Sequence, residues 1–319
     1  MMKQSVACIG NGFVGGSLTT CFSEHGVDVW VFDKGGKLAQ GGKLPEYGTE
    51  SIQQLVHYCE SLKQFSGIYF VCVPTPMSED GSADVSIVES VLDELSIQIL
   101  DDASNARFQK RIAVVKSTVP PGSTERWNKK YENTPLRVIF SPEFLTEANA
   151  LDDMRNQNRI VLGGPRPHIN RVKQIFQTAF PNVPLIKTSS TTAEMVKYVT
   201  NCFLATKVAL ANEMSQICEA LDHQGLNIDY DKVIEYAKLD TRLGNSHWSV
   251  PGPDGHLAFG GHCFPKDMNS LMFLARELGI DPKVMNGAWQ KCLELRPPEH
   301  RDWEKMEGRA VSKKKNGKE

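Results

Sequence analysis

The chain has 319 residues, 40% of them apolar and 23% charged, with 36 Lys and Arg against 38 Asp and Glu for a formal net charge of −2. That length supports one large or two ordinary domains with a full core, and the near-balanced charge supplies no basic field for nucleic acid or an acidic membrane surface. No apolar run approaches the roughly 18 residues of a membrane span, the opening MMKQSVACIGNGFVGG lacks a signal-peptide pattern, and eight scattered cysteines without a CxxC suit a reducing cytoplasm.

In chain order, residues 5–10 (SVACIG) read as a buried strand, 14–25 as a helix and 27–33 (VDVWVFD) as a second strand. Runs rich in Val and Ile at 66–74, 111–120, 136–143 and 158–164 have strand length, with helical stretches such as 84–100 between them. Strands alternating with helices up to Thr188 predict an α/β fold with a doubly wound parallel sheet.

After Thr188 the texture changes. Residues 191–225 contain neither Pro nor Gly before Gly225 and keep a helical apolar period. Ser190 or Thr191 is the expected N-cap, with Glu194 at capping-box distance. Such a helix, longer than about 45 Å, outgrows one small domain, and it is expected to form a spine shared by two subunits of a homodimer. Residues 226–240 and 267–279 read as helices around a Gly- and Pro-rich loop at 244–262, and the polar sequence beyond LRPPEHRDW reads as frayed. The expected division is an α/β domain at 1–188, the long helix with a small helical domain at 189–298, and a disordered tail at 299–319.

Two motifs carry chemistry. IGNGFVGG places Gly10-x-Gly12-x-x-Gly15, enclosing Phe13 and Val14, between the first strand and its helix. Glycine there allows a tight turn, close approach of a pyrophosphate and close helix–strand packing, which makes the domain Rossmann-type. The second strand ends at Asp33, about 20 residues on, where ribose hydroxyls of NAD are held. Lys34 follows, but the Asp33 carboxylate disfavours a 2′-phosphate, so NAD is preferred to NADP. The second motif, FGGHCFPKD (259–267), leaves three roles open for Cys263: nucleophile, metal ligand or buried thiol. His262 and Cys263 are adjacent and no partner pair has ligand spacing, so no metal is expected.

VCVPTP (71–76), VVKSTVPPG (114–122), SPEFLTEANA (141–150) and EMVKYVTNCFLATKVALANE (194–213), in order with the two motifs above, resemble the UDP-glucose/GDP-mannose dehydrogenase family over residues 8–280. The resemblance implies oxidation of a nucleotide-sugar primary alcohol to a carboxylate with reduction of two NAD⁺. It implies Cys263 as the nucleophile, Lys197 and Asn201 as the groups on the reacting oxygen, and Asp267 as the carboxylate that directs water at a thioester. Glu143, Glu147 and Thr118 then surround the reacting carbon and nicotinamide, and Pro74, Thr75, Ser117 and Lys266 join the cofactor site. Lys266 is also expected to favour the Cys263 thiolate. Phe144, Leu145, Phe259 and Gly260 are implied for the substrate, together with Arg242 reaching it from a neighbouring subunit. Lys207 and Asn212 read as polar residues of the helix surface or of contacts between helices.

Two departures from the family stand out. PDGHLA is inserted before the glycine pair, and the chain ends near where typical members begin a second Rossmann-like, nucleotide-binding domain. The expected activity is oxidation of UDP-glucose to UDP-glucuronate, with GDP-mannose or a UDP-N-acetylhexosamine as alternative substrates and a non-catalytic NAD-binding subunit as the alternative class.

Overall fold

A computed structural model of the chain describes residues 4–44, 51–101 and 110–313. Two units separate: residues up to Thr75 with Val85–Lys197, and Pro76–Asp84 with the residues from Tyr198 onward.

The first unit alternates strands and helices in the order β1 (Ser5–Ile9), α1 (Phe13–Glu24), β2 (Asp28–Phe32), β3 (Gly42–Lys43), α2 (Ile52–Ser61), β4 (Phe65–Val71) and α3 (Ser86–Asp101). It continues through β5 (Arg111–Val115), α4 (Ser123–Lys130), β6 (Leu136–Phe140), α5 (Ala150–Arg155), β7 (Ile160–Gly163), α6 (Arg166–Ala179) and β8 (Leu185–Thr188). The eight strands form one sheet, β3-β2-β1-β4-β5-β6-β7-β8. Its central strands β1 and β5 are buried except at Arg111, as the apolar runs that follow their first residues require of a sheet covered on both faces. One face packs Leu55, Leu92 and Trp127; the other packs Phe22, Met154, Phe176 and Phe180. The strand order reverses between β1 and β4, which opens the crevice at the carboxyl end of β1 where doubly wound sheets bind ligands.

The α/β class stands, but the sheet is not wholly parallel. β7 joins β6 antiparallel through Phe140 and Gly163, and β8 runs parallel to β7.

α7 (Ser190–His223) is unbroken over 34 residues, about 51 Å. Glu194 does not close a box on its own helix. It is fully buried and accepts from Gly122 N (2.6 Å) and Thr124 N (2.8 Å), so it caps α4. Gly122, at φ +92°, opens α4 without a side-chain cap of its own.

The second unit adds α8 (Tyr230–Ala237), α9 (Cys263–Glu277) and α10 (Lys283–Leu295) to α7. Its core gathers Tyr198, Cys202, Met268, Met272, Cys292 and Trp303. α9 begins at Cys263, four residues before the expected start. The tail expected to be disordered from Glu299 is ordered as far as Lys313, and 314–319 lie outside the described residues. Trp303 explains why: it is 1% exposed and packs at a tilt on Trp289, ring centroids 5.7 Å apart, while Ser312 N and Ala310 O exchange hydrogen bonds with Met77. Among the described residues no helix is long and apolar enough to cross a membrane.

Candidate active site

The glycine loop is built as its sequence implies. Gly10 takes φ +87°, and a Cβ there would lie 2.5 Å from the Cys72 carbonyl oxygen. A Cβ on Gly15 would lie 2.0 Å from the Gly10 oxygen, so both positions exclude every other residue. Gly12 faces open space, and α1 starts beside it with no side-chain cap from Gly12, so the positive end of the helix is directed at the loop. Phe13 and Val14 are half-buried behind it. Asp33 at the end of β2 accepts from Asn11 N (2.7 Å), Gly35 N (2.8 Å) and Lys37 N (3.4 Å), which fixes the carboxylate beside the loop; Lys34 is exposed. A cradle open at Gly12, a helix N-terminus directed at it and a fixed acid fit an NAD pyrophosphate and ribose. Asn11, absent from the sequence reading, locks the loop by donating from Nδ2 to Lys37 O and accepting from Thr19 Oγ1.

At the carboxyl ends of β4 and β5, Thr75 and Thr118 are buried, Pro74 is exposed, and Ser117 Oγ donates to Val73 O at 2.6 Å. Beyond β6, Lys197 Nζ donates to Glu143 Oε1 (2.9 Å) and to its backbone oxygen (2.7 Å). Leu145 N donates to Oε2 at 2.6 Å. Burial alone raises the Glu143 carboxyl, but Lys197, the Leu145 amide and Lys116 outweigh it and hold the acid below the usual carboxylate range. Lys116, buried and donating to Ser141 O (3.0 Å) and Pro142 O (3.3 Å), is lowered chiefly by burial. Phe144 lies beneath Lys197 (5.8 Å) and the Arg159 guanidinium (4.0 Å). Lys116, Glu143, Phe144, Leu145, Asp153 and Arg159 line a cavity of about 220 Å³. Lys116 and Arg159 are not among the residues the sequence singled out, although a lysine closing an apolar strand run in VVKSTVPPG is a visible anomaly. Glu147 does not share a helix face with Glu143. Residues 141–149 form no helix, and Glu147 is exposed on a turn held by Asp153, which accepts from Thr146 N and Oγ1.

In the second unit Asn201 Nδ2, one turn beyond Lys197 on α7, donates to Asp267 Oδ2 at 2.6 Å. Lys266 forms an ion pair with Asp267 Oδ1. Lys266 thus spends its charge on Asp267, which is 1% exposed with both oxygens engaged, rather than standing free for thiolate or cofactor. Cys263 is half-buried at the first position of α9, and His262, the N-cap residue, is buried and makes no side-chain capping bond. Such an N-terminal position favours a thiolate. The neighbouring thiol Cys202 is buried, and burial followed by Asp267 pushes it well above the ordinary thiol range, which marks it as inert. Phe259 and Gly260, expected at the substrate, are committed to packing. Phe259 is 3% exposed against Trp289 (6.1 Å), and a Cβ on Gly260 would meet Arg296 Nη1 at 2.0 Å. Arg242 has an 87% exposed side chain and pairs with Asp240 on its own turn at 2.5 Å. Lys207 donates to Leu243 O (2.9 Å) and lies over Trp248 (4.5 Å), while Asn212 Oδ1 accepts from Ala258 N; both are buried and hold the 243–258 loop, rather than lying on the helix surface or between helices as expected.

Two family models match the chain: the NAD binding domain of the UDP-glucose/GDP-mannose dehydrogenase family over residues 4–180 and its central domain over 191–291. UDP-glucose 6-dehydrogenase AglM of Haloferax volcanii is 29% identical over 311 residues, 89% of this chain and 68% of that protein. UDP-glucose 6-dehydrogenase of Rickettsia bellii is 31% identical over 301 residues, 88% and 65%. Among solved structures, a UDP-glucose dehydrogenase from Pyrobaculum islandicum superimposes with TM-score 0.72 at 27% identity, covering 92% of this chain and 68% of that one. The chain therefore spans about two thirds of the length of these relatives.

Proposed function

From the chain's membership of the UDP-glucose/GDP-mannose dehydrogenase family, whose NAD-binding and central domains it carries, we propose that it oxidises the C6 primary alcohol of UDP-glucose to the carboxylate of UDP-glucuronate. The observation that carries this reading is Cys263: a half-buried thiol at a helix N-terminus, one turn before a buried carboxylate held by Asn201 and Lys266. A one-step alcohol dehydrogenase has no use for that arrangement. NAD⁺, when bound, accepts one hydride in each of the two oxidations; the remaining steps fall to side chains.

Lys197 and Asn201 hold the substrate oxygen as its proton leaves and negative charge develops on it. The aldehyde that results has no hydride to give until a nucleophile adds. The Cys263 thiolate forms a C–S bond to the carbonyl carbon and the oxygen takes a proton, giving a thiohemiacetal. Loss of its hydride and hydroxyl proton leaves a thioester. Water, directed by Asp267, adds to the thioester carbon, the C–S bond breaks, and the thiol and carboxylate are released. Glu143, fixed as a carboxylate by Lys197, and Thr118 order water and assist the proton transfers. The eight free thiols support a reducing, cytoplasmic setting.

Incubation with NAD⁺ and each of UDP-glucose, GDP-mannose and a UDP-N-acetylhexosamine, followed by NADH absorbance, tests the substrate. Two NADH per UDP-glucose, with no turnover of the others, is the expected result. Turnover of another sugar alone reassigns the substrate, and no turnover of any leaves an NAD-binding subunit. Cys263→Ser is expected to abolish steady-state turnover; an unchanged rate contradicts the covalent step.

A further inference from the structure

The tail that the sequence reads as frayed holds the turn that leads into Cys263. We propose that Arg296 and Asp302 are positioning residues for Cys263, locking the Phe259–Gly260–Gly261 turn from which α9 starts. The proposal rests on the reading of Cys263 as nucleophile.

Arg296 is 1% exposed, so its charge is out of water and must be satisfied inside the fold. Its guanidinium reaches both sides of one junction. Towards the inserted loop, Nη2 donates to Asp254 Oδ2 (2.6 Å) and Ala258 O (3.5 Å), and Nε donates to Leu257 O (3.0 Å). Towards the tail, Nη1 donates to His300 O and to Asp302 Oδ1, both at 3.4 Å. The Asp302 carboxylate returns to the turn, where Gly261 N donates to Oδ2 (2.9 Å) and Oδ1 (3.1 Å).

Three consecutive residues are thereby held from outside the turn. Cys292 Sγ on α10 donates to Phe259 O at 3.2 Å, Gly260 is pressed on Arg296 and Asp302, and Gly261, at φ +73°, is tied to Asp302. A Cβ on Gly260 would also lie 2.8 Å from Asp302 Oδ1, so glycine there serves this clamp. Trp303, buried against Trp289, anchors the segment that presents Asp302, and His256 of the loop stacks on His300 of the tail at 4.3 Å. Cys263 follows Gly261 by two residues, so the sulfur inherits its place from this turn. A reacting atom displaced by about 1 Å loses on the order of a hundredfold in rate.

The test compares Asp302→Ala with Asp302→Asn in the full chain; the Asp302 side chain is 40% exposed, so both variants are expected to fold, with melting curves as the check. Turnover of UDP-glucose with NAD⁺ gives kcat and KM, and the rate of Cys263 alkylation by iodoacetamide is read by peptide mass spectrometry. Asp302→Ala is expected to lower kcat by about tenfold or more with KM for NAD⁺ within about twofold, and to slow alkylation of Cys263. Asp302→Asn keeps an oxygen for the Gly261 amide and is expected to restore most of both. An Ala variant that alkylates Cys263 as fast as the parent protein, or an Asn variant that rescues neither readout, overturns the proposal. If UDP-glucose is not turned over at all, the function reading fails, while the alkylation rates still decide whether Asp302 positions Cys263.

Discussion

Glu143 and Lys197 show how far single residues can be read ahead of the fold. Both were expected at the site on resemblance, and the structure adds that they form a buried ion pair, 6% and 2% exposed at the side chains. Removing one partner of such a pair leaves a buried charge and costs about 3–5 kcal/mol. Lys197→Met is expected to destabilise the protein by that order at pH 7. The pH dependence follows from the depressed Glu143 carboxyl. A folded value below the unfolded one, about 4.3, stabilises the fold above that pH and is lost as pH falls through the folded value. In Lys197→Met the two contributions of Lys197 that lower the Glu143 carboxyl are gone, so burial weighs more against its charged form. Urea titrations are therefore expected to show a large gap between the two proteins at pH 7 that narrows below about pH 4; an equal gap at both pH values excludes this origin. The resemblance places Glu143 and Glu147 around the same reacting carbon, and the local structure parts them. Residues 141–149 are irregular and turn at 147–149, so Glu143 is buried while Glu147 faces solvent.

At the scale of elements, the periodic pieces were legible because their cause is local. The central strands β1 and β5 are buried on both faces and are apolar after their first residues; α7 lacks any breaker from Ser190 to His223. Capping was legible only in part. Glu194 has the spacing of a capping box, yet its carboxylate crosses 72 residues to the N-terminus of α4, whose own Gly122 supplies no side chain. No pattern within a turn of Glu194 contains that partner. Burial raises the Glu194 carboxyl against the hydrogen bonds from α4, so its contribution lies in the two amides it satisfies. Glu194→Ala leaves both N–H groups buried without an acceptor and is expected to cost about 1–3 kcal/mol, with Glu194→Gln recovering part of it through one remaining oxygen. Thermal melts rank the three proteins, and an Ala variant as stable as the parent removes the cap from α4. The early start of α9 has the same lesson. FGGHCF carries no periodic apolar signal, and the helix begins at Cys263 because a clamp far along the chain sets the preceding turn.

For the whole molecule, the sequence identifies the α/β class and the second, helical part, because alternating strands and helices leave few topologies. It misses the reversal at β7 and the ordered tail, since both depend on partners distant in the chain: Gly163 against Phe140, and Trp303 against Trp289. The long helix leaves one further consequence. Val199 (54%), Phe203 (69%), Leu210 (48%) and Ile217 (48%) are exposed along α7 at spacings of four, seven and seven, the repeat of a helix–helix seam. An apolar stripe of that regularity supports the homodimer expected from the length of α7. In a two-fold interface each substitution acts twice. Removing two Phe side chains from a buried seam loses at least about 3 kcal/mol, roughly a hundredfold in Kd. Phe203→Glu adds two desolvated carboxylates to that loss. Sedimentation velocity is expected to give a dimer for the parent chain and a monomer for Phe203→Glu at micromolar concentration, with unchanged melting of the monomer's own core. A parent chain that sediments as a monomer would leave the stripe without a second copy, and would also count against the expectation that Arg242, exposed and paired with Asp240, reaches a neighbouring site.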